Sequence, residues 1–265
     1  MKPLDVRDSH AAVRAAILVY ALAVAKQVLV WFALYPIAGY TEVTLAIAQL
    51  GTIAIAVSFL LIYRPGPLGL HAGQLLRAAA SVIVAYGLVA AVVLVLDGDG
   101  AEVFRGSYSV YAIVDNWLLT GFGEELLFAG LLFTLVRGAL AGRSPKIGGE
   151  GASVRNVAAA VGIVAVLFSL WHLPGYIAIA ARAGRLGFGV LLDLFLPTAS
   201  WLFFGTIYAL SGNLWLTAFV HASTDYALLP AVVQRPAIGL IFMAANVAFA
   251  AVLRRYARVT TASRE

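Results

Sequence analysis

The sequence predicts an all-α, polytopic membrane protein: a single transmembrane domain over residues 1–265 with about eight spanning helices. Three observations predict it. Hydrophobic residues make up 62% of the chain and charged residues only 12%, with a mean hydropathy of +0.94, whereas about a quarter of a soluble domain is charged. The apolar residues are gathered into runs of about 20, the length that crosses a hydrocarbon core about 30 Å thick. Lys and Arg, finally, crowd into alternate connections between those runs.

In order, the expected spans are 14–36, 43–63, 75–96, 111–136, 156–180, 188–210, 213–233 and 236–254. Pro36 to Gly39 ends the first, and Arg64-Pro65-Gly66-Pro67 ends the second. Asp97-Gly98-Asp99-Gly100 closes the third, and the glycine-rich stretch from Gly142 to Gly151 follows the fourth. Ser211-Gly212-Asn213 and Gln234-Arg235-Pro236 bound the seventh. The polar arm Met1 to Asp8 leads into the first run without a small-residue cleavage site, so no signal peptide is expected. No repeat of fixed period and no second domain is visible.

The positive residues orient the chain. The N-terminal arm and the connections after spans 2, 4 and 6, together with the C-terminal tail, hold thirteen of the 18 Lys and Arg, among them Arg7, Arg64, Arg143, Lys146 and Arg255. The alternate connections hold Arg105, Arg182, Arg185 and Arg235, and Lys26 lies inside span 1. An excess of Lys and Arg marks cytoplasmic loops, which places both termini in the cytoplasm of a cell membrane, expected to be prokaryotic. The net charge of +5 sits at those loops and termini, where anionic lipid is the partner, and nucleic acid is excluded on the same ground. Without cysteines the chain has neither disulfides nor thiolate metal sites, so a metal would need His and carboxylate ligands.

Few strongly polar side chains interrupt the spans: Lys26, Asp115, Glu124, Glu125, His172, Asp193, His221, Asp225 and Asn246. An acidic residue at mid-helix costs roughly 2.5 to 3.5 kcal/mol on insertion scales, so intramembrane ionisable groups are paired, protonated or used. Five of the nine form a pattern. Glu124 and Glu125 lie in span 4, His172 in span 5, and His221 with Asp225 in span 7, where the i, i+4 spacing puts both on one helix face. Counted from the outer ends, Glu124 lies about eight to thirteen residues deep and His172 and Asp225 about eight, one layer at about 1.5 Å per residue. Asp115, Asp193 and Asn246 stand alone or near span ends and are read as structural.

These residue types permit two chemistries. A carboxylate with a neighbouring imidazole takes a proton from water, while a second imidazole with a short polar group stabilises an oxyanion. The same groups, with Glu124, His172 and His221 as ligands, would also hold a divalent metal such as zinc and lower the pKa of its bound water. Spacing does not choose between them.

Glu-Glu-Leu-Leu-Phe-Ala-Gly at 124–130, Phe-Ser-Leu-Trp-His at 168–172 and His-Ala-Ser-Thr-Asp at 221–225 resemble, in order, the three motifs of the CAAX protease and bacteriocin-processing (CPBP, or Abi) intramembrane proteases. The resemblance spans roughly 115–230. It implies an eight-span bundle around an intramembrane cavity. It also implies hydrolysis of a peptide bond in a peptide or membrane-protein substrate. Glu124 would activate water together with His172, Glu125 would be the supporting acid, and His221 with Asp225 would support the oxyanion. The family is described both as metalloprotease and as glutamate-dependent, so the metal stays open. One position departs from the motif: an arginine is expected four residues after the second Glu, and Ala129 stands there. Lys26, the one basic residue well inside a span, is expected to supply the missing charge to Glu125. A non-catalytic relative acting as a bacteriocin-immunity factor is the alternative that Ala129 favours. An ion or proton carrier is another, although the inverted repeats of carriers are not seen.

Overall fold

The computed structural model describes residues 9–63, 68–97, 108–141 and 154–262, and every regular element among them is a helix. The N-terminal arm, the turn 64–67, the connection 98–107 with Arg105, the stretch 142–153 with Arg143 and Lys146, and Arg264 lie outside the described residues. The elements are α1 (Ser9–Leu29, carried on by π-helical Val30–Leu34 and a last turn Tyr35–Ala38), α2 (Glu42–Tyr63) and α3 (Ala72–Asp97). The long α4 (Val110–Ala141) and α5 (Val154–Arg182) come next, then the short α6 (Gly189–Asp193) and α7 (Phe195–Ser211). The last three are α8 (Leu214–Asp225), α9 (Ala231–Gln234) and α10 (Pro236–Ala262).

Among the described residues seven helices are long and apolar enough to cross a membrane. The predicted span 213–233 is not one of them. Asn213 starts α8 as its N-cap, accepting from Leu216 N at 3.2 Å, and the helix stops at Asp225. Twelve residues rise about 18 Å, short of the hydrocarbon core. Pro230 prevents the helix from simply running on, because it has no N–H and its ring clashes with the carbonyl four residues back. Helix α4 in turn continues past the expected end at 136, so Arg137, one of the thirteen Lys and Arg assigned to the connections and tails, is a buried helical residue whose guanidinium lies 5.9 Å from the Phe133 ring centre.

The chain forms two compact units, 1–66 with 126–205 and 67–125 with 206–265. In the first, α1 packs on α2, on α5 and on the Thr134–Ala141 end of α4. All eight residues of Leu126–Phe133 are buried there, with Phe128 edge-on to Phe168 at 4.9 Å and to Trp171 at 5.4 Å. Between helices in lipid, packing and hydrogen bonds must replace the hydrophobic drive. Two such bonds join α5 to α1: Trp171 Nε1 donates to Ala23 O at 3.2 Å, and Tyr20 OH to Leu167 O at 3.0 Å. In the second unit α8 packs on α3 and on the Gly121–Glu125 turn of α4, and α10 packs on α3 and α9. A Cβ on Gly121 would stand 3.0 Å from both Ala218 O and Ala222 Cβ, so glycine is what lets α4 approach α8 this closely.

A buried carboxylate and imidazole array as candidate active site

Helix α4 is the most enclosed of the seven, with 78% of its apolar window buried against 17–44% in the others. It is not uniformly α-helical. Two π-helical stretches, Val114–Thr120 and Leu126–Phe133, bracket the single α-turn Gly121–Glu125 that carries both glutamates. A π-helix closes its hydrogen bonds i to i+5, and such wide turns concentrate at functional sites.

Glu124 and Glu125 are 4% and 0% exposed, and from α8 His221 is 4% exposed. His221 is the centre of the array. Its Nδ1–H donates to Glu125 Oε1 at 2.8 Å. On the other edge of the ring, Nε2 faces Asp225 Oδ2 at 3.3 Å and Glu124 Oε2 at 3.9 Å. Three acidic side chains thus face one imidazole, one on Nδ1 and two on Nε2. Exposure rises from Glu125 at the buried end to the Asp225 side chain, which is 36% exposed. Glu125 Oε2 is buried with no hydrogen-bond partner among the described residues.

The end of α8 sets where Asp225 sits. Backbone groups released where a helix ends need new partners, and aromatic side chains supply them here. Trp117 Nε1 donates to Tyr226 O at 3.0 Å, and Tyr108 OH to Leu228 O at 2.7 Å. Leu228 N donates to Tyr86 OH at 3.2 Å, and Ser109 N to Tyr226 OH at 3.0 Å.

The other two predicted site residues belong to the first unit. His172 Nδ1–H donates to Phe168 O at 2.8 Å, one turn back on α5, and the ring stands edge-on to Phe168 at 4.6 Å and to Trp171 at 4.9 Å. That bond fixes the tautomer of a neutral ring, leaving its lone pair on Nε2. Lys26 Nζ donates to Thr52 Oγ1 at 2.8 Å and to Ala48 O at 3.1 Å, and lies 5.1 Å from the Trp171 ring centre. His172 and Lys26 thus flank the same indole. The lysine stem passes over Gly51, where a Cβ would meet Lys26 Cδ at 3.4 Å.

Of the polar residues read as structural, Asn246 is fully buried and donates to Phe242 O at 2.9 Å, Asp193 is exposed at the end of α6, and Asp115 has a buried Oδ1 without a hydrogen-bond partner among the described residues. A catalytic zinc takes three protein ligands. Among the described residues no three His, Asp or Glu side chains are grouped to hold a metal ion. Sequence reasoning missed Gly121, Tyr86, Tyr108, Trp117 and Tyr226. The usable signal was aromatic side chains with polar tips on the elements flanking the motifs, which the count of ionisable groups passed over.

A helical membrane protein with an imidazole held among three acidic side chains is the class that fold and site define. Residues 106–227, which include both glutamates, His172, His221 and Asp225, match the family model described as Type II CAAX prenyl endopeptidase Rce1-like. That part of the chain is an Rce1-like domain, of the CPBP kind that the three motifs resemble. No curated protein and no solved structure matches the chain.

Proposed function

We propose that the protein is an intramembrane endopeptidase that hydrolyses a peptide bond of a peptide or membrane-protein substrate by carboxylate-activated water. The observation that carries the reading is the position of His221, within 2.8 Å of Glu125, 3.3 Å of Asp225 and 3.9 Å of Glu124. Glu124 takes a proton from water as its oxygen bonds to the substrate carbonyl carbon. His221, held at Nδ1 by Glu125, shares its Nε2–H between Asp225 and the oxygen that becomes negative. As the C–N bond breaks, Glu124 returns the proton to the departing amine. His172 joins Glu124 in activating water by its place in the second motif. No step of this chemistry runs through a metal, so cleavage is expected to survive exhaustive chelation. Both termini face the cytoplasm in this reading, on the strength of the Lys and Arg distribution.

The test is cleavage of membrane-embedded peptides by purified protein in bilayers, with Glu124→Gln alongside. Cleavage by the wild type and none by the variant supports the reading. Equal rates from both would remove Glu124 from the chemistry. No cleavage from either, across a broad peptide set, would favour the non-catalytic reading that Ala129 suggests.

A further inference from the structure

The backbone between Asp225 and Pro230 is strapped from several sides, and one strap differs from the rest. Among the described residues, Trp117 and Tyr108 each bond the far side of the break, at Tyr226 O and Leu228 O. Tyr86, from α3, bonds both sides, accepting from Leu228 N at 3.2 Å and hydrogen-bonding the side chain of Ser223. The proton order is fixed by the donors. Ser223 Oγ spends its own proton on Phe219 O at 2.6 Å, so it must accept from the tyrosine. The chain of bonds runs from Leu228 N–H to the Tyr86 oxygen, from the Tyr86 O–H to Ser223, and from Ser223 to the α8 backbone. Asp225 lies between the two clamped positions. Tyr86 is 8% exposed, and its ring packs on Phe242 at 4.9 Å, which holds the hydroxyl in place.

We infer that Tyr86 is a positioning residue whose hydroxyl clamps the break in α8 so that the Asp225 carboxylate stays opposite His221 Nε2. Without the clamp Leu228 loses its acceptor and the segment after Asp225 loses its tie to α8. The carboxylate then no longer has one fixed place against the imidazole. The role rests on the endopeptidase reading where activity is concerned, but the geometry of Asp225 and His221 is observable without it.

Tyr86→Phe tests it in the full chain in lipid nanodiscs, because the ring stack on Phe242 is kept and only the hydroxyl is lost. The expected result is a kcat lower by roughly tenfold, the scale of one hydrogen bond, with KM changed less than about twofold. In an Asp225→Ala background the same change is expected to cost nothing more, since the group being positioned is gone. An undiminished kcat, or an equal loss in that background, overturns the inference. With four histidines in the chain, ¹⁵N-histidine spectra give a second readout. The His221 Nε2 signal is expected to move in Tyr86→Phe in the direction that it moves in Asp225→Ala. If the wild type cleaves nothing yet the signal moves, the endopeptidase reading falls and the positioning stands. A still signal overturns the positioning. Should Tyr86→Phe fail to fold, Ser223→Ala, which opens the other half of the clamp, is expected to produce the same shift.

Discussion

Glu125 Oε1 and His221 Nδ1 lie 2.8 Å apart across 96 residues of sequence, and both side chains are at most 5% exposed. A buried carboxylate this enclosed needs a donor of positive charge. The motif that the sequence resembles would supply an arginine four residues on, but Ala129 occupies that place, fully buried. The imidazole on α8 is the partner that Glu125 meets, and their bond ties two helices together.

Glu125→Leu is expected to destabilise the protein by roughly 3 to 5 kcal/mol, because it leaves the His221 ring buried without its partner. Glu125→Gln keeps an acceptor for Nδ1–H and should recover most of that loss. Denaturant unfolding in mixed micelles compares the two, and equal stabilities would mean that the hydrogen bond contributes nothing.

Proton transfer by a positioned side chain is worth about 10²- to 10⁴-fold, so Glu124→Ala and His172→Ala should each abolish measurable peptide cleavage while the protein stays folded. His221→Ala is expected to be nearly as severe. Asp225→Ala should be milder, since the more exposed Asp225 is one of two acidic groups facing Nε2. Turnover numbers and circular dichroism on the four variants decide this, and wild-type rates in the first two would reject their roles.

Gly121→Ala places a methyl group 3.0 Å from Ala218 O and Ala222 Cβ and 2.8 Å from Asn116 O. Overpacking of this kind costs about 1 to 3 kcal/mol. Helix α8 must move off α4, and His221 moves with it. A loss of both thermal stability and cleavage is expected, whereas Gly87→Ala, with nothing within 4 Å of the new atom, should lose neither.

Replacing Lys26 by Met removes the donor to Thr52 Oγ1 and Ala48 O and the cation over Trp171, the indole that also packs on His172. Lower stability and lower activity are expected from Lys26→Met. Activity and melting temperature both unchanged would show that the ammonium supports nothing.

Lys146→Cys tests the orientation in a chain that has no cysteine of its own. An impermeant maleimide added to intact cells should leave it unlabelled and should label it after lysis. Labelling from outside would invert the topology.

The helical membrane class was legible because apolar runs of spanning length follow from composition alone. The pattern of five ionisable residues was legible because charge inside such a run is costly. Two features were not. The break after Asp225 was read as a continuous span because the residues on either side are equally apolar. What ends the helix is Pro230 together with hydroxyl and indole groups from Tyr86, Tyr108 and Trp117, all distant in sequence. Nor could the pairing of Glu125 with His221 be read from spacing, since it depends on how closely Gly121 lets two helices approach.

The π-helical stretches of α4 make residue count a variable in its own right. Each wide turn accommodates chain that an α-ladder would not, and each stands immediately before or after the turn bearing Glu124 and Glu125. Removing one residue between 114 and 120 lets that stretch close as an ordinary α-helix, and everything preceding it then swings by about 100° relative to the glutamates. Trp117 could not keep its bond to Tyr226 O through such a rotation while Glu125 kept His221. The bearing of the carboxylates is thus fixed by the tally of residues along the helix, so that a deletion of one is felt at once on α8, where a substitution at the same place is felt only through its own side chain.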